Sequence, residues 1–188
     1  MAKVNGTHVV TDKVLFNYVH LLEPVVPMNG GEPVYSTCII IPKSDTETLD
    51  AIKKAIENAM HDGVDRFGGK IPNVKTLRMP LRDGDVDREG REEYANCWFI
   101  NTKSKYKPRV VDKQLRDIET EDEVYSGMYG RVSLNFYAYA NSGNKGIACG
   151  LGDVQKLEDG TRFGGRASVA DMFGAAEGSE DDNGGLPF

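Results

Sequence analysis

Residues 125–140 read Y-S-G-M-Y-G-R-V-S-L-N-F-Y-A-Y-A, and they sort by parity. Side chains alternate across a strand. Met128, Val132, Leu134, Phe136 and Ala138 therefore share one face, while Tyr129, Arg131, Ser133, Asn135, Tyr137 and Tyr139 share the other. The first set is a core face; the second is a wet face with three tyrosines and an arginine. The turn residues Asn141-Ser-Gly-Asn144 then lead into a last strand over 146–157, where Gly150 and Gly152 predict a bulge or bend.

Working outward, residues 13–22 (K-V-L-F-N-Y-V-H-L-L) are β-branched and aromatic and end before Glu23-Pro24, which predicts a first strand. Its parity is mixed. Phe16, Tyr18 and His20 alternate with Leu15, Val19 and Leu21, so its buried face stays undecided. Residues 34–41 (V-Y-S-T-C-I-I-I) predict a second strand after a turn-rich connection of Pro24, Pro27, Asn29, Gly30, Gly31 and Pro33. Then the period changes: after Ser44-Asp45, the residues Leu49, Ile52, Ile56, Ala59 and Met60 recur at helical spacing until Gly63. Residues 63–93 are glycine-rich and charged without an apolar period, and read as a long loop, mobile at 83–90. Strand patterning returns at 94–102, with a short candidate at 110–111. Five strands and one helix after the second or third fit a mainly β, partly open Greek-key barrel.

The 188 residues hold 29 acids against 23 bases, a net charge of −6. That excludes a generically basic nucleic-acid coat. The excess sits at one end: 167–188 contains Asp171, Glu177, Glu180, Asp181 and Asp182 and no base, so residues 1–166 are close to neutral. We read 1–166 as one folded domain and 167–188 as a disordered acidic arm, because 174–185 cannot bury enough to fold. Neither a membrane span nor a secretion signal is visible, which points to the cytoplasm. Cys38, Cys97 and Cys149 are far apart and His8, His20 and His61 lack ligand spacing, so buried thiols and no metal or cofactor are expected.

Enzyme readings fail on spacing. Asp83-Gly-Asp85-Val-Asp87 starts like a calcium loop, but Arg88 stands where the turn needs glycine and Tyr94 where a bidentate Glu is needed. The acids Glu119, Glu121, Asp122 and Glu123 lie in one turn, and the glycine-rich pieces match no nucleotide cradle. A binding module fits better. Lys103, Lys105, Lys107, Arg109, Lys113 and Arg116 face only Asp112 across 103–116, with Tyr106 among them. Cations for phosphates and rings for bases are what single-strand binding needs. By parity Tyr94 and Trp98 are expected to join Tyr129, Tyr137 and Tyr139 on one aromatic platform, with Arg131 beside them.

The chain ends D-D-N-G-G-L-P-F, an acidic stretch finished by Leu186-Pro187-Phe188 and a free carboxylate, which is a ligand for an apolar pocket with a basic rim. This end resembles the C-terminal tip of bacterial single-stranded-DNA-binding proteins. The strings Y-A-N-C-W-F-I-N-T-K-S-K-Y-K-P-R-V-V-D (94–112), V-Y-S-G-M-Y-G-R-V-S-L-N-F-Y-A-Y (124–139) and K-G-I-A-C-G-L-G-D-V-Q-K-L (145–157) are similar to the phage-encoded members. The resemblance implies an oligonucleotide/oligosaccharide-binding (OB) barrel with a helix between strands. It also implies sequence-independent binding of single-stranded DNA in phage replication, recombination and repair. The tail would dock replication or recombination proteins in the bacterial host cytoplasm, through Asp181, Asp182, Leu186, Pro187 and Phe188. A strand-annealing protein and a non-DNA adaptor or virion protein remain alternatives, and a homodimer stays open.

Overall fold

The computed structural model describes residues 1–163; the expected arm over 167–188, with its Leu-Pro-Phe end, lies outside the described residues. Nine strands form in chain order: β1 Lys3–Asn5, β2 His8–Val10, β3 Val14–Val25, β4 Val34–Pro42, β5 Leu81–Asp83, β6 Cys97–Ser104, β7 Val110–Val111, β8 Tyr129–Asn141 and β9 Asn144–Glu158. Five of them close a ring. β3 pairs β4, β4 pairs β6, β6 meets β9 in parallel, β9 pairs β8, and β8 returns to β3. This is the expected five-stranded β barrel, closed rather than partly open, which leaves the ring without a free edge. The four further strands are two- or three-residue pieces: β1 and β2 extend the sheet beyond β8, β5 pairs β6, and β7 pairs β9.

The helix falls where the periodicity put it, α1 over Thr46–Asp62, between the second and third ring strands. Asp45 caps it by accepting from the Thr48 N–H at 3.1 Å, and Gly63 ends it. Gly63 is required by contact, since a Cβ there would stand 2.3 Å from that of Ala138 on β8. The stripe Leu49, Ile52, Ile56 and Ala59 joins Phe16, Leu21, Ile39, Ile41, Ile100, Met128, Leu134 and Phe136 in the barrel core. Each large side chain so buried contributes about 1.5–3 kcal/mol.

Strand β8 obeys its parity: the even positions from Met128 to Ala138 are buried and the odd ones are not. It meets β9 through a two-residue turn, Ser142-Gly143, both at positive φ (+48° and +83°), which matches the twist of the pair. The register of β9 slips between Leu151 and Val154, placing an irregularity at Gly152 as the glycines predicted.

Residues 63–93, expected to be a long loop, are not without secondary structure. They hold short 3-10 turns at Val64–Phe67 and Val74–Thr76, then β5, then a one-turn helix α2 over Gly84–Asp87, with a third 3-10 turn at Glu92–Tyr94. The segment has no apolar period because charge fixes it instead. Lys43 Nζ sits 2.9 Å from Asp83 Oδ1 and 2.7 Å from Asp85 Oδ2, where a calcium loop would hold its ion. Asp85 Oδ1 also accepts the Asn96 N–H at 2.9 Å.

Candidate nucleic-acid interface

Pairing registers draw a line across the outside of the barrel: His8 on β2, Asn135 on β8, Gly150 on β9, Lys103 on β6, Ser36 on β4 and His20 on β3. None of these six is buried. Over the middle of the line lies a groove of about 450 Å³ whose walls include Lys103, Lys105, Tyr106, Asn135 and Tyr137. Gly150 forms its floor; a Cβ there would stand 3.7 Å from Tyr137 Cε1, so the tyrosine ring lies over bare backbone.

Here the fold joins two signals that are about 30 residues apart in the chain. The basic run follows directly from the end of β6, and the Ser104 hydroxyl accepts the Tyr106 N–H at 3.0 Å, turning the chain and leaving Tyr106 83% exposed. Tyr137 is 41% exposed, and packing pushes its phenol pKa upward, so it stays neutral at physiological pH. Lys103, Lys105 and Lys107 form no ion pair among the described residues. Arg109 does: its Nη2 is 3.0 Å from Asp117 Oδ1, and Arg116 Nε is 2.9 Å from Asp112 Oδ2. The uncompensated charge of the run therefore sits on its lysines. Chemically the groove offers cations at the wall, two rings, and the Asn135 amide, whose Oδ1 accepts from the Thr7 hydroxyl at 3.0 Å.

Other expected platform members lie elsewhere. Tyr94 is 0% exposed, a correction to its place on a wet face. Strand β6 begins only at Cys97, and Asn96 at φ +55° breaks the parity that linked Tyr94 to Trp98. The Tyr94 hydroxyl instead accepts from Asn17 Nδ2 at 3.1 Å and lies 3.7 Å from Cys38 Sγ, and its ring meets Phe99 edge-on at 5.3 Å. Burial raises its pKa, and pushes the Cys38 thiol up to about 11. Trp98 is half-buried against the main core with Lys43 Nζ 5.6 Å from its ring, five residues along β6 from Lys103, roughly 17 Å away. Tyr129, at the far end of β8 from Tyr137, carries Lys13 Nζ 5.6 Å from its ring. Arg131 ties down the N-terminus, donating from Nε to Thr11 O and from Nη2 to Met1 O, each at 2.9 Å. Tyr139 shares the face of Tyr137 two residues on and is half-buried.

The parity reading did not single out His8, Gly150 or Tyr18, although Tyr18 is 49% exposed on the outer surface of β3. The mixed parity of 13–22 was the available signal.

Comparisons with known proteins bear on the family and the fold. The profile of a protein family described as "Enterobacter phage Enc34, ssDNA-binding protein" matches residues 7–183. Protein p50 of Acyrthosiphon pisum secondary endosymbiont phage 1 is 29% identical over 179 residues, covering 91% of this chain and 95% of p50. The single-stranded DNA-binding protein from bacteriophage Enc34, solved in complex with ssDNA, is 28% identical with a TM-score of 0.71, over 84% of this chain and 90% of that one. The gp2.5 single-stranded DNA-binding protein of bacteriophage T7 shares the fold, with a TM-score of 0.60 at 18% identity over 99% of each chain. Among the described residues no helix is long and apolar enough to cross a membrane. A closed barrel with an open basic groove, and a family match over most of the chain, lead to one conclusion: this chain belongs to the phage ssDNA-binding family typified by Enterobacter phage Enc34.

Proposed function

We propose that this protein binds single-stranded DNA without sequence specificity during phage replication, recombination and repair, along the groove between the basic run and the Tyr137 face. The observation that carries the reading is the juxtaposition of Lys103, Lys105 and exposed Tyr106 with Tyr137 around the bare backbone of Gly150. Lysines neutralise phosphates and rings stack bases, each stacked base being worth about 1–3 kcal/mol. Backbone contacts without a base-edge code give affinity that is indifferent to sequence. The acidic arm 167–188 competes with DNA for the groove, and on displacement offers Asp181, Asp182, Leu186, Pro187 and Phe188 to a replication or recombination protein. Support for the arm is its charge and its Leu-Pro-Phe end.

The test is anisotropy of labelled oligothymidylate against the full chain, a 1–166 chain and Tyr137→Ala, at low and moderate salt. Binding that weakens with salt, tightens without the arm and falls roughly five- to hundredfold in Tyr137→Ala is the expected result. Absence of binding by the full chain and the 1–166 chain overturns the DNA reading in favour of an adaptor. Equal affinity of those two chains overturns the competition by the arm.

A further inference from the structure

Strand β3 carries an extra residue. Its register against β4 runs Asn17 to Cys38 but His20 to Ser36, so a bulge falls at Tyr18 and Val19. Asn17 reaches Tyr94 on the outside of the ring, Val19 packs against the core inside, and Tyr18 is turned outward. Its φ is +47°, a left-handed conformation that is a true outlier for an aromatic residue. Such strain persists only where the surroundings over-determine it, and it concentrates at ligand sites.

The surroundings here are specific. The Tyr18 N–H donates to Asn17 Oδ1 at 2.8 Å, and the Val19 N–H donates to Ser126 Oγ at 3.0 Å. Asn17 is itself fixed at both ends, its Nδ2 on the buried Tyr94 hydroxyl at 3.1 Å and its carbonyl accepting from the Thr37 hydroxyl at 3.0 Å. Arg91 Nη1 donates to the Tyr18 hydroxyl at 2.6 Å, and its guanidinium carbon lies 5.6 Å from the ring centroid. Much of the ring nevertheless remains open to solvent. His20, two residues on, belongs to the line through Ser36 and Lys103 to the groove floor at Gly150. Two strand spacings, roughly 10 Å, separate β3 from β6.

Resting on the reading that the chain binds single-stranded DNA, we infer that Tyr18 is a second stacking platform, taking a nucleobase of the strand as it leaves the groove across the outside of β4. The buried Tyr94 and Asn17 are its positioning residues. The ligand is a base rather than a phosphate, because Arg91 is already paired with Glu93 at 2.6 Å and Glu89 and Glu92 stand nearby in the chain.

The competing role for Tyr18 is a clasp: its hydroxyl would merely hold the Arg91 segment to the barrel. Two substitutions in the full chain separate them. Tyr18→Gly removes the ring and relieves the positive φ; Tyr18→Phe keeps the ring and loses the Arg91 bond. With labelled oligothymidylate of about 16 nucleotides, the upper end of the site size of one such barrel, Tyr18→Gly is expected to weaken binding roughly five- to hundredfold. Its melting temperature should be equal or higher, and its salt slope unchanged, since no phosphate contact is lost. Tyr18→Phe should bind within about twofold of the parent, as stacking survives. Parent-like binding by Tyr18→Gly overturns the inference, as does an equal loss in Tyr18→Phe. If the parent itself fails to bind, the DNA reading falls first and takes the inference with it.

Discussion

The outer surface of β4 and β6 has two ends, four residues apart, with opposite characters. At one end Cys38, Ile40, Tyr94 and Phe99 form a dry satellite cluster beneath a folded-back segment. Arg88 lies 4.8 Å from the Phe99 ring centroid, and Arg91 lies 5.0 Å from that of Tyr94. At the other end Lys103 opens into the groove that Tyr106 and Tyr137 help to line. Both ends carry cations and rings, so composition does not tell them apart. Compensation does: Arg82 is paired with Asp87 at 3.0 Å and Arg91 with Glu93, whereas the lysines of 103–107 pair with no carboxylate among the described residues. Only uncompensated charge has counterions to release when a phosphate arrives. The arginine end builds structure, and the lysine end is the one proposed to bind.

That contrast breaks most visibly at Tyr94. Removing a fully buried aromatic of this size costs about 3–5 kcal/mol, and Tyr94→Ala is expected to lower the melting temperature by roughly 6–20 °C. If this variant melted like its parent yet lost DNA, Tyr94 would be a surface residue after all. A second comparison replaces Lys103, Lys105 and Lys107 together by Gln and, separately, Arg82 and Arg91 by Gln. The lysine triple should reduce the slope of log affinity against log salt by about 2, at roughly 0.7 per phosphate contact. The arginine pair should leave that slope in place; equal slopes for both variants would erase the distinction between the ends.

The smallest effect concerns the clasp that holds the covering segment. Hydrogen bonds from Lys43 and from the Asn96 backbone lower the Asp85 pKa below its ordinary 3.8, and Asp85 and Asp83 raise that of Lys43 above 10.5. A depressed carboxylate stabilises the fold above its unfolded pKa and loses that contribution as pH falls through its folded value. The raised lysine contributes below 10.5 and loses it as pH rises beyond. Melting temperatures from pH 6 down to pH 3 should therefore fall less steeply for Asp85→Asn than for the parent. Parallel curves would show that the clasp adds nothing, as many exposed ion pairs do.

Much of the fold was legible because it rests on local rules. The alternation of β8, the Asp45 cap and Gly63 stop of α1, and the glycine irregularity in β9 each depend on neighbours in sequence. Half of the groove was legible too, since both Tyr137 and the run from Lys103 to Tyr106 stood out. The covering segment was not, because its anchors, Lys43 to Asp83 and Asp85, join residues about 40 positions apart without an apolar period.

The sequence by itself determined a barrel-forming set of strands, one capped helix, a lysine run and an acidic end finished by phenylalanine. Tertiary structure decided which rings are wet. Parity states on which side of a strand a side chain emerges, and says nothing about whether another segment covers that side. Hence Tyr94, read as a platform, became the buried support of its neighbours. Tyr18 made the opposite move. The mixed parity of 13–22 had no single buried face to find, because the bulge at Tyr18 and Val19 shifts the strand by one residue halfway along. Phe16 before it, Val19 within it and Leu21 after it all pack on the core, and Tyr18 is left outside.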